Sequence, residues 1–315
     1  MRVAMFGCGW IQDFHVRAVQ ACGHEVVAVA NHREETARVF AEHHGIPRFT
    51  TDWEGLAADA EIDAAVVSTP NALHAPQSAA CLDAGTHVLV EKPMATSVAE
   101  CDAMIAASRA SGASLMVAHC WRFHADVQAM RARIERGDLG EIVKTRGYGV
   151  HAGSGPGGWF VQRALSGGGA LPDMGVHAID TVRYLLGDPE PSRVCAAIGT
   201  RYGDYDVDDD AILLISWSQG TNSIVESGWW HPHKEGLEAE TEVYGTGGYA
   251  RIFPREEPSP DYEHCTQPMY TAQMREFLGA IEDGRPPKPD GADGRVVMEV
   301  VERAYASAAT IGAVT

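Results

Sequence analysis

A glycine turn that directly follows a buried strand most constrains the fold of this 315-residue chain. Arg2 to Phe6 has the apolar pattern of the strand, Gly7 and Gly9 form the turn, and a helical pattern follows at once. This order is typical of dinucleotide-binding folds, because glycines let the backbone approach a pyrophosphate whose charge sits at the amino end of the helix. Gln12 replaces the third glycine of the usual fingerprint, which puts the tight contact of helix and strand in doubt. The residues predicted to contact the cofactor here are Gly7, Gly9, Trp10 and Ile11, with a plain tight turn as the alternative.

Strand and helix patterns alternate through the first 120 residues. Further strands are expected at 25–30, 62–68, 86–90 and 114–118, with helices between them. Ser97 with Glu100 three residues later has the form of a capping box, which marks the start of the helix expected at 97–111. Alternating strands and helices imply right-handed crossovers and a parallel, doubly wound sheet. Residues 1–120 are therefore predicted to form an α/β Rossmann domain.

The end of the second strand is where the adenosine ribose of a dinucleotide would lie, so its residues select the cofactor. An acidic residue there favours NAD, but this chain has Asn31 followed by Arg33. Asparagine still hydrogen-bonds a ribose hydroxyl without repelling a 2′-phosphate, and the guanidinium of Arg33 can pair with one. The sequence thus leans towards NADP and leaves NAD open, with Arg33 as a solvated helix residue in the alternative.

Two more strand ends carry polar groups where ligands of open α/β sheets bind. Glu91, Lys92 and Pro93 end an apolar run, and a buried ammonium is costly unless a partner or ligand takes it up. A solvated loop lysine beside a turn proline is the alternative reading. The other strand end is expected to face the cofactor through Ser68, Thr69, Pro70, Asn71 and His74, or to be a turn with a helix cap.

The second half of the chain has a different rhythm. Strand-like runs separated by short polar turns occur at 142–150, 194–200, 211–218, 222–229, 240–244 and 249–253, and helices are expected at 270–283 and 295–311. Consecutive strands without helices between them are most simply antiparallel. Residues 121–315 are therefore predicted to form an α+β domain with a large, mostly antiparallel open sheet. Its tryptophans at 217, 229 and 230 suggest a face covered by another subunit, or else a floor under the domain's own helices.

One block of the second half, residues 167–180, carries the residue types needed for proton transfer. Three glycines allow close approach to a ligand or another backbone, and Pro172 suits the first turn of a helix. On that helix Asp173 and His177 are four residues apart and share a face, with Asp180 near the same line. A carboxylate and an imidazole so placed can move a proton to or from a hydroxyl. An ordinary surface ion pair is the alternative.

Charge and cysteine usage limit the partners. A formal net charge of −18 argues against nucleic acid and against an anionic membrane, whereas a neutral hydroxylated substrate fits. The seven cysteines are scattered, without zinc spacing or a disulfide framework, and no leader or long apolar segment is found, so a cytoplasmic location is expected. A metal enzyme using His231 and His233 with His151 or His264 is disfavoured because no acidic partner stands at ligand spacing, so no metal is expected.

Four motifs occur in order along the chain: the glycine turn, Thr69-Pro70-Asn71 with His74, Glu91-Lys92-Pro93, and the block at 167–180. Together they resemble the glucose–fructose oxidoreductase, inositol dehydrogenase and rhizopine catabolism family of NAD(P)-dependent oxidoreductases. The resemblance covers essentially the whole chain. It implies a Rossmann domain followed by an α+β domain whose sheet commonly mediates dimers or tetramers. It also implies that Lys92, Asp173 and His177 occupy the family's catalytic positions.

The mechanism that this resemblance implies is hydride transfer between nicotinamide and a secondary hydroxyl or ketone of a sugar, cyclitol or related polyol. His177 would take the hydroxyl proton, Lys92 would stabilise the developing negative charge, and Asp173 would orient the substrate or the histidine. Arg122 and Trp159 are candidates for lining the substrate site, or else packing residues. Two relatives of the same architecture stay open as alternatives: a glycosidase that oxidises its sugar transiently with bound NAD, and a ligand-sensing regulator, which the complete catalytic set disfavours.

Overall fold

The computed structural model describes residues 1–232, 239–252 and 262–312. Contacts within the chain divide it into two compact units, one formed by residues 1–120 and 261–295, the other by residues 121–260 and 296–315. The two units are built on separate six-stranded sheets.

The first unit is a parallel, doubly wound sheet with the strand order β3-β2-β1-β4-β5-β6. The order reverses beside β1, so the carboxyl ends of β1 and β4 flank the switch point where ligands of such sheets bind. The Rossmann prediction is confirmed. The strands are β1 (Arg2–Phe6), β2 (Glu25–Ala30), β3 (Arg48–Thr50), β4 (Ala64–Val67), β5 (His87–Glu91) and β6 (Leu115–Ala118). The helices between them are α1 (Trp10–Ala21), α2 (Glu34–His44), α3 (Trp53–Ala57), α4 (His74–Asp83) and α5 (Val98–Ser111).

Apolar strands form the centre of this sheet. The residues of β4 are all fully buried, as are Val88, Leu89 and Val90 of β5, which explains why these segments read as continuous apolar runs. The expected cap of α5 is present, since the Ser97 hydroxyl accepts a hydrogen bond from the Glu100 amide at 3.2 Å. Short β3 is largely exposed and has no apolar pattern, and the sequence did not indicate it.

A late segment of the chain also belongs to the first unit. Helix α9 (Tyr262–Glu282) packs on α1: the amide of Gln267 donates to the Phe14 carbonyl at 3.1 Å, and the Phe14 and Tyr270 rings lie 5.3 Å apart. The predicted division assigned this segment to the second domain, because sequence order alone does not show that a chain returns. The helix also runs through Pro268, where the sequence prediction started it at Tyr270.

The second unit contains a mixed sheet with the order β12-β11-β7-β10-β9-β8. Only β7 and β10 pair in parallel among its adjacent strands, so the prediction of a mostly antiparallel sheet is confirmed. The strands are β7 (Ile142–Ala152), β8 (Pro191–Gly199), β9 (Asp210–Trp217), β10 (Asn222–His231), β11 (Glu240–Gly245) and β12 (Gly248–Ile252). The helices are α6 (Ala125–Glu135), α7 (Arg163–Ser166), α8 (Val176–Leu185) and most of α10 (Gly291–Gly312). Phe253, the predicted end of the last strand, lies outside the described residues.

The two faces of this sheet differ. Along β9 the buried side chains alternate with Ile212 and Leu214, which are 53% and 48% exposed. Trp217 and Trp229 are fully buried, whereas Trp230 is 40% exposed. The two buried tryptophans thus fit the expected floor within the domain, while the exposed aliphatic residues define an open face.

Among the described residues, no helix is both long and apolar enough to cross a membrane, and no group of three or more metal-ligating side chains comes together. His231 has an acidic neighbour that the sequence did not reveal, because its Nε2 lies 3.3 Å from Asp210. His233, and the side chain of His264, lie outside the described residues.

Candidate active site

The glycine turn after β1 has the form needed by a pyrophosphate. Gly7 has φ = +104°, and a Cβ there would lie 2.7 Å from the Ser68 carbonyl oxygen, so only glycine fits. At Gly9, directly before α1, a Cβ would meet nothing within 4 Å. The turn therefore leaves open space at the positive end of α1, as a dinucleotide phosphate requires.

Gln12, at the position of the missing third glycine, is fully buried. Its carbonyl oxygen accepts a hydrogen bond from the Ser68 hydroxyl at 2.8 Å, and its Nε2 lies 3.5 Å from the Phe6 carbonyl oxygen. The longer side chain thus replaces direct helix-on-strand packing with polar links between the ends of β1 and β4. Ser68, predicted to contact the cofactor, has its hydroxyl engaged in one of these links.

The end of β2 carries the residues expected to select the cofactor. The Asn31 side-chain oxygen accepts a hydrogen bond from the Arg33 amide at 3.0 Å, while the Arg33 side chain is exposed. No carboxylate pairs with Arg33 among the residues that the structure describes. Asn31 also hydrogen-bonds the neighbouring thiol of Cys8, but burial dominates and raises the pKa of Cys8 to about 11.

His74 holds two loops of the first unit together. Its Nδ1 lies 2.8 Å from the Pro93 carbonyl oxygen, and its Nε2 lies 2.8 Å from that of Thr69. The side chain is only 1% exposed, and this burial lowers its pKa although the two carbonyls favour protonation. The Thr69 hydroxyl is likewise engaged, donating to Gln77 at 2.7 Å. His74 was predicted to face the cofactor; in the structure both of its ring nitrogens lie beside backbone carbonyls.

Glu91, at the end of β5, has a buried carboxylate with two partners. One oxygen lies 2.8 Å from His15 Nε2, and the other accepts the Lys92 amide at 3.0 Å. Burial opposes ionisation of Glu91, but the hydrogen bond and charge of His15 together with Lys92 outweigh it, so the pKa of Glu91 is lowered. The end of β5 therefore places the ionised carboxylate of Glu91 directly beside Lys92, the lysine that the sequence predicted to need a partner or ligand.

In the second unit, Asp208 holds the glycine block. Its carboxylate accepts the amides of Gly169 and Leu171 at 2.8 Å each and the Tyr305 hydroxyl at 2.6 Å. A Cβ on Gly169 would lie 1.7 Å from the Asp208 carbonyl oxygen. The sequence predicted that these glycines approach either a ligand or another backbone. At Gly169 the neighbour is the backbone of Asp208. No sequence pattern indicated Asp208, which lies 39 residues after Gly169.

Asp173 and His177 follow the three glycines of this block on consecutive helical segments. Residues Leu171–Gly175 form one π-helical turn, and α8 begins at Val176, so Asp173 and His177 lie on either side of the junction. The Asp173 carboxylate, 8% exposed, accepts a hydrogen bond from the indole of Trp229 at 3.0 Å. The His177 ring, 5% exposed, lies edge-on to Trp121 at 6.4 Å. π-Helical turns are frequent at functional sites.

Asp180 and Arg122 form a separate buried ion pair. The Arg122 guanidinium donates to both oxygens of Asp180 at 2.6–3.0 Å and lies 2.9 Å from Asp188. The guanidinium is 6% exposed and lies 5.1 Å from the Tyr184 ring centre. Arg122, a predicted substrate residue, is thus engaged inside the unit. The other one, Trp159, is partly exposed and stacks on Phe160 at 3.9 Å.

A glycine-turn Rossmann sheet, followed by a domain with a buried carboxylate and imidazole on one helical junction, defines a nucleotide-binding oxidoreductase. Comparison with known proteins agrees. Residues 1–119 match the family model described as oxidoreductase family, NAD-binding Rossmann fold, and residues 127–251 match the GFO/IDH/MocA C-terminal domain. The chain belongs to the GFO/IDH/MocA oxidoreductase family, which confirms the resemblance seen in the sequence.

Individual relatives align over nearly the whole chain. D-xylose 1-dehydrogenase (NADP(+)) 2 of Haloferax volcanii is 30% identical over 315 residues, covering 95% of this chain and 94% of that protein. The solved structure of GenD2 from gentamicin A biosynthesis in complex with NAD is 28% identical with a TM-score of 0.89, covering 98% and 94%. A levoglucosan dehydrogenase in complex with NADH and levoglucosan is 25% identical with a TM-score of 0.86, covering 98% and 97%.

Proposed function

We propose that this chain is an NAD(P)-dependent oxidoreductase that transfers hydride between a nicotinamide and a secondary hydroxyl or ketone of a sugar, cyclitol or related polyol. The observation that carries the proposal is the family membership of both domains together with the presence of Lys92, Asp173 and His177. The dehydrogenases that align with most of the chain include one named for D-xylose and one bound to levoglucosan, which supports the same substrate class.

Proton transfer is assigned to His177. In the oxidative direction it takes the proton of the substrate hydroxyl, and in the reductive direction it returns a proton to the carbonyl oxygen. The bound nicotinamide supplies hydride acceptance and return. Lys92 donates a hydrogen bond to the same substrate oxygen and stabilises the negative charge that develops there. Asp173, held by the Trp229 indole at 3.0 Å, orients the substrate or the imidazole.

The cofactor is assigned to the switch point of the first unit. The proposed contacts are Gly7, Gly9, Trp10 and Ile11 for the pyrophosphate, Asn31 and Arg33 for the adenosine ribose, and Ser68, Thr69, Pro70, Asn71, His74, Glu91 and Lys92 for the nicotinamide half. The engaged side chains of Ser68, Thr69, His74 and Glu91 favour contact through their backbone or support from behind. The exposed Arg33, which has no carboxylate partner among the described residues, supports NADP, whereas the NAD complex of a structural relative supports NAD.

The oligomeric state and the cellular compartment are also proposed, each from a single feature of the structure. A homodimer or homotetramer is supported by the exposed Ile212 and Leu214, which a second copy of the sheet would cover. Light scattering on the purified chain tests this, and a monomer at micromolar concentration contradicts it. A cytoplasmic location is supported by thiols that form no disulfide at Cys8, Cys22, Cys81 and Cys195.

The proposed activity is tested by titrating the purified chain with NAD and NADP by fluorescence, and then screening polyols and keto-sugars for absorbance change at the reduced-nicotinamide band. Saturable binding of one cofactor and turnover with at least one sugar or cyclitol are expected. Binding without turnover on any member of the panel contradicts the proposal. Product formation without net change in the reduced cofactor would point instead to a glycosidase of the same fold.

A further inference from the structure

Lys92 lies between two residues that are each held by a buried histidine. On its amino side, the Glu91 carboxylate lies 2.8 Å from Nε2 of His15, which is 0% exposed. On its carboxyl side, the Pro93 carbonyl oxygen lies 2.8 Å from Nδ1 of His74, which is 1% exposed. Each histidine comes from a different helix of the first unit, His15 from α1 and His74 from α4.

The contacts of Glu91 reach the lysine backbone directly. One carboxylate oxygen faces His15 while the other accepts the amide of Lys92 at 3.0 Å. With one partner for each oxygen, the carboxylate has a fixed orientation, and so does the N–H that it accepts. His15 therefore acts on the position of Lys92 through one intervening side chain.

His74 supports the other side of the lysine through the backbone. The same ring that reaches Pro93 also lies 2.8 Å from the Thr69 carbonyl oxygen in the loop after β4. The ring thus spans the ends of two adjacent strands, β4 and β5. Displacement of either loop would move the carbonyl that directly follows Lys92.

We propose that His15 and His74 are positioning residues for Lys92. By fixing Glu91 and Pro93, they hold the lysine backbone so that its long, flexible side chain brings the ammonium to the reacting oxygen. The inference rests on the proposed function, because it assigns the two histidines to the catalytic step of that reaction. Neither histidine contacts substrate in this account.

The placement matters because charge stabilisation depends on distance. A misplacement of about 1 Å can lower the rate of an oriented reaction by about 100-fold. A flexible lysine gains most from a fixed backbone, since its four rotatable side-chain bonds otherwise spread the ammonium over many positions.

The test uses the full chain with its cofactor and the best polyol of the panel. His15→Asn is too short to reach Glu91, whereas His15→Gln keeps a donor of similar reach. We expect His15→Asn and His74→Leu each to lower kcat by about 10- to 100-fold, with cofactor Kd changed less than about threefold in His15→Asn. His15→Gln should recover most of the loss. The primary deuterium isotope effect on kcat should rise in the two impaired variants, because hydride transfer then limits turnover.

His87 provides the matched control, because it lies at the opposite end of β5 and accepts the Ser114 amide at 2.9 Å. His87→Gln should keep kcat within about twofold of the wild type. If the two histidines only stabilise the fold, His15→Asn and His74→Leu should unfold more easily but keep the wild-type kcat per folded site and the wild-type isotope effect. That result overturns the positioning role. Should His15→Asn fail to fold, Glu91→Gln leaves one acceptor oxygen for the two partners of the carboxylate, and a similar loss of kcat is expected.

Failure of the positioning role and failure of the proposed function give different results. If the wild type turns over and Lys92→Met does not, the proposed function stands, and normal kcat in His15→Asn and His74→Leu overturns the positioning role alone. If the wild type shows no turnover on any polyol or keto-sugar, the proposed function fails and this inference fails with it.

Discussion

Replacing Gly149 by alanine should damage the site although residue 149 bears no chemistry. Strand β7 passes so close to the π-helical turn that a Cβ at 149 would lie 2.2 Å from the Met174 carbonyl oxygen and 2.6 Å from its carbon. Real Cβ contacts are essentially never below 3.0 Å, so the two backbones must separate by roughly 1 Å. Asp173 lies in that turn, and its 3.0 Å hydrogen bond to Trp229 would stretch beyond bonding distance.

Two magnitudes follow from that separation. Overpacking of this kind costs about 1–3 kcal/mol of unfolding free energy. Displacement of the carboxylate should lower kcat by about 100-fold. Urea unfolding and steady-state kinetics with the best polyol measure the two effects.

Gly147→Ala, on the same strand, is the control variant at a less crowded glycine. There a Cβ would lie 2.9 Å from Val182 Cγ1, a side-chain atom, and 3.3 Å from both the Cβ and the carbonyl oxygen of Ala178, so the backbone contact is much less close than at Gly149. A smaller loss of stability and of kcat is expected. If Gly149→Ala keeps kcat within about twofold and stability within about 0.5 kcal/mol of the wild type, the argument from close approach is refuted.

Three further predictions follow from the described contacts. Lys92→Met should lower turnover by about 1000-fold while cofactor Kd stays within about threefold, as stopped-flow kinetics and fluorescence titration will show, and near-normal turnover would end the catalytic assignment. Asn31→Asp should shift the ratio of kcat/KM for NADP over NAD downwards by about 10-fold, because a carboxylate repels the 2′-phosphate, and an unchanged ratio would remove residue 31 from cofactor selection. Burial lowers the pKa of His74 from 6.5, so the folded chain disfavours its protonation and loses stability as pH falls below that value. Between about pH 7.5 and about pH 5.5 this group costs at most about 1.4 kcal/mol, and urea unfolding of His74→Gln should show a correspondingly shallower loss.

Local patterns were enough to predict the alternating strands and helices of residues 1–120, apart from short elements. The glycine turn, the strand and helix alternation and the Ser97 cap involve residues close in sequence, so their periodicity and spacing carry the information. Because crossovers in parallel sheets are right-handed, the alternation then fixes the doubly wound class. Short β3 and the return of α9 were not predicted, since the first lacks an apolar pattern and the second depends on packing against α1.

The supports of the candidate site depend on contacts between distant residues. Trp229 lies 56 residues from the Asp173 that it holds, and His15 lies 76 residues from Glu91. The sequence shows each as an ordinary strand or helix residue. The parallel pairing of β7 with β10 was equally hidden, because a strand buried on one face alternates in the same way whether its neighbour runs parallel or antiparallel. Sequence motifs therefore indicated the candidate reacting groups, while the residues that contact and support them were seen only in the structure.

The proposed mechanism requires that the ammonium of Lys92 and the imidazole of His177 act on one substrate oxygen. A crystal structure of the chain with its preferred cofactor and a polyol substrate tests it most directly. We expect Lys92 Nζ and a ring nitrogen of His177 each to lie about 3 Å from the hydroxyl oxygen of the carbon that faces the nicotinamide. A complex in which only one of the two reaches that oxygen, or in which the nicotinamide lies away from both, would contradict it.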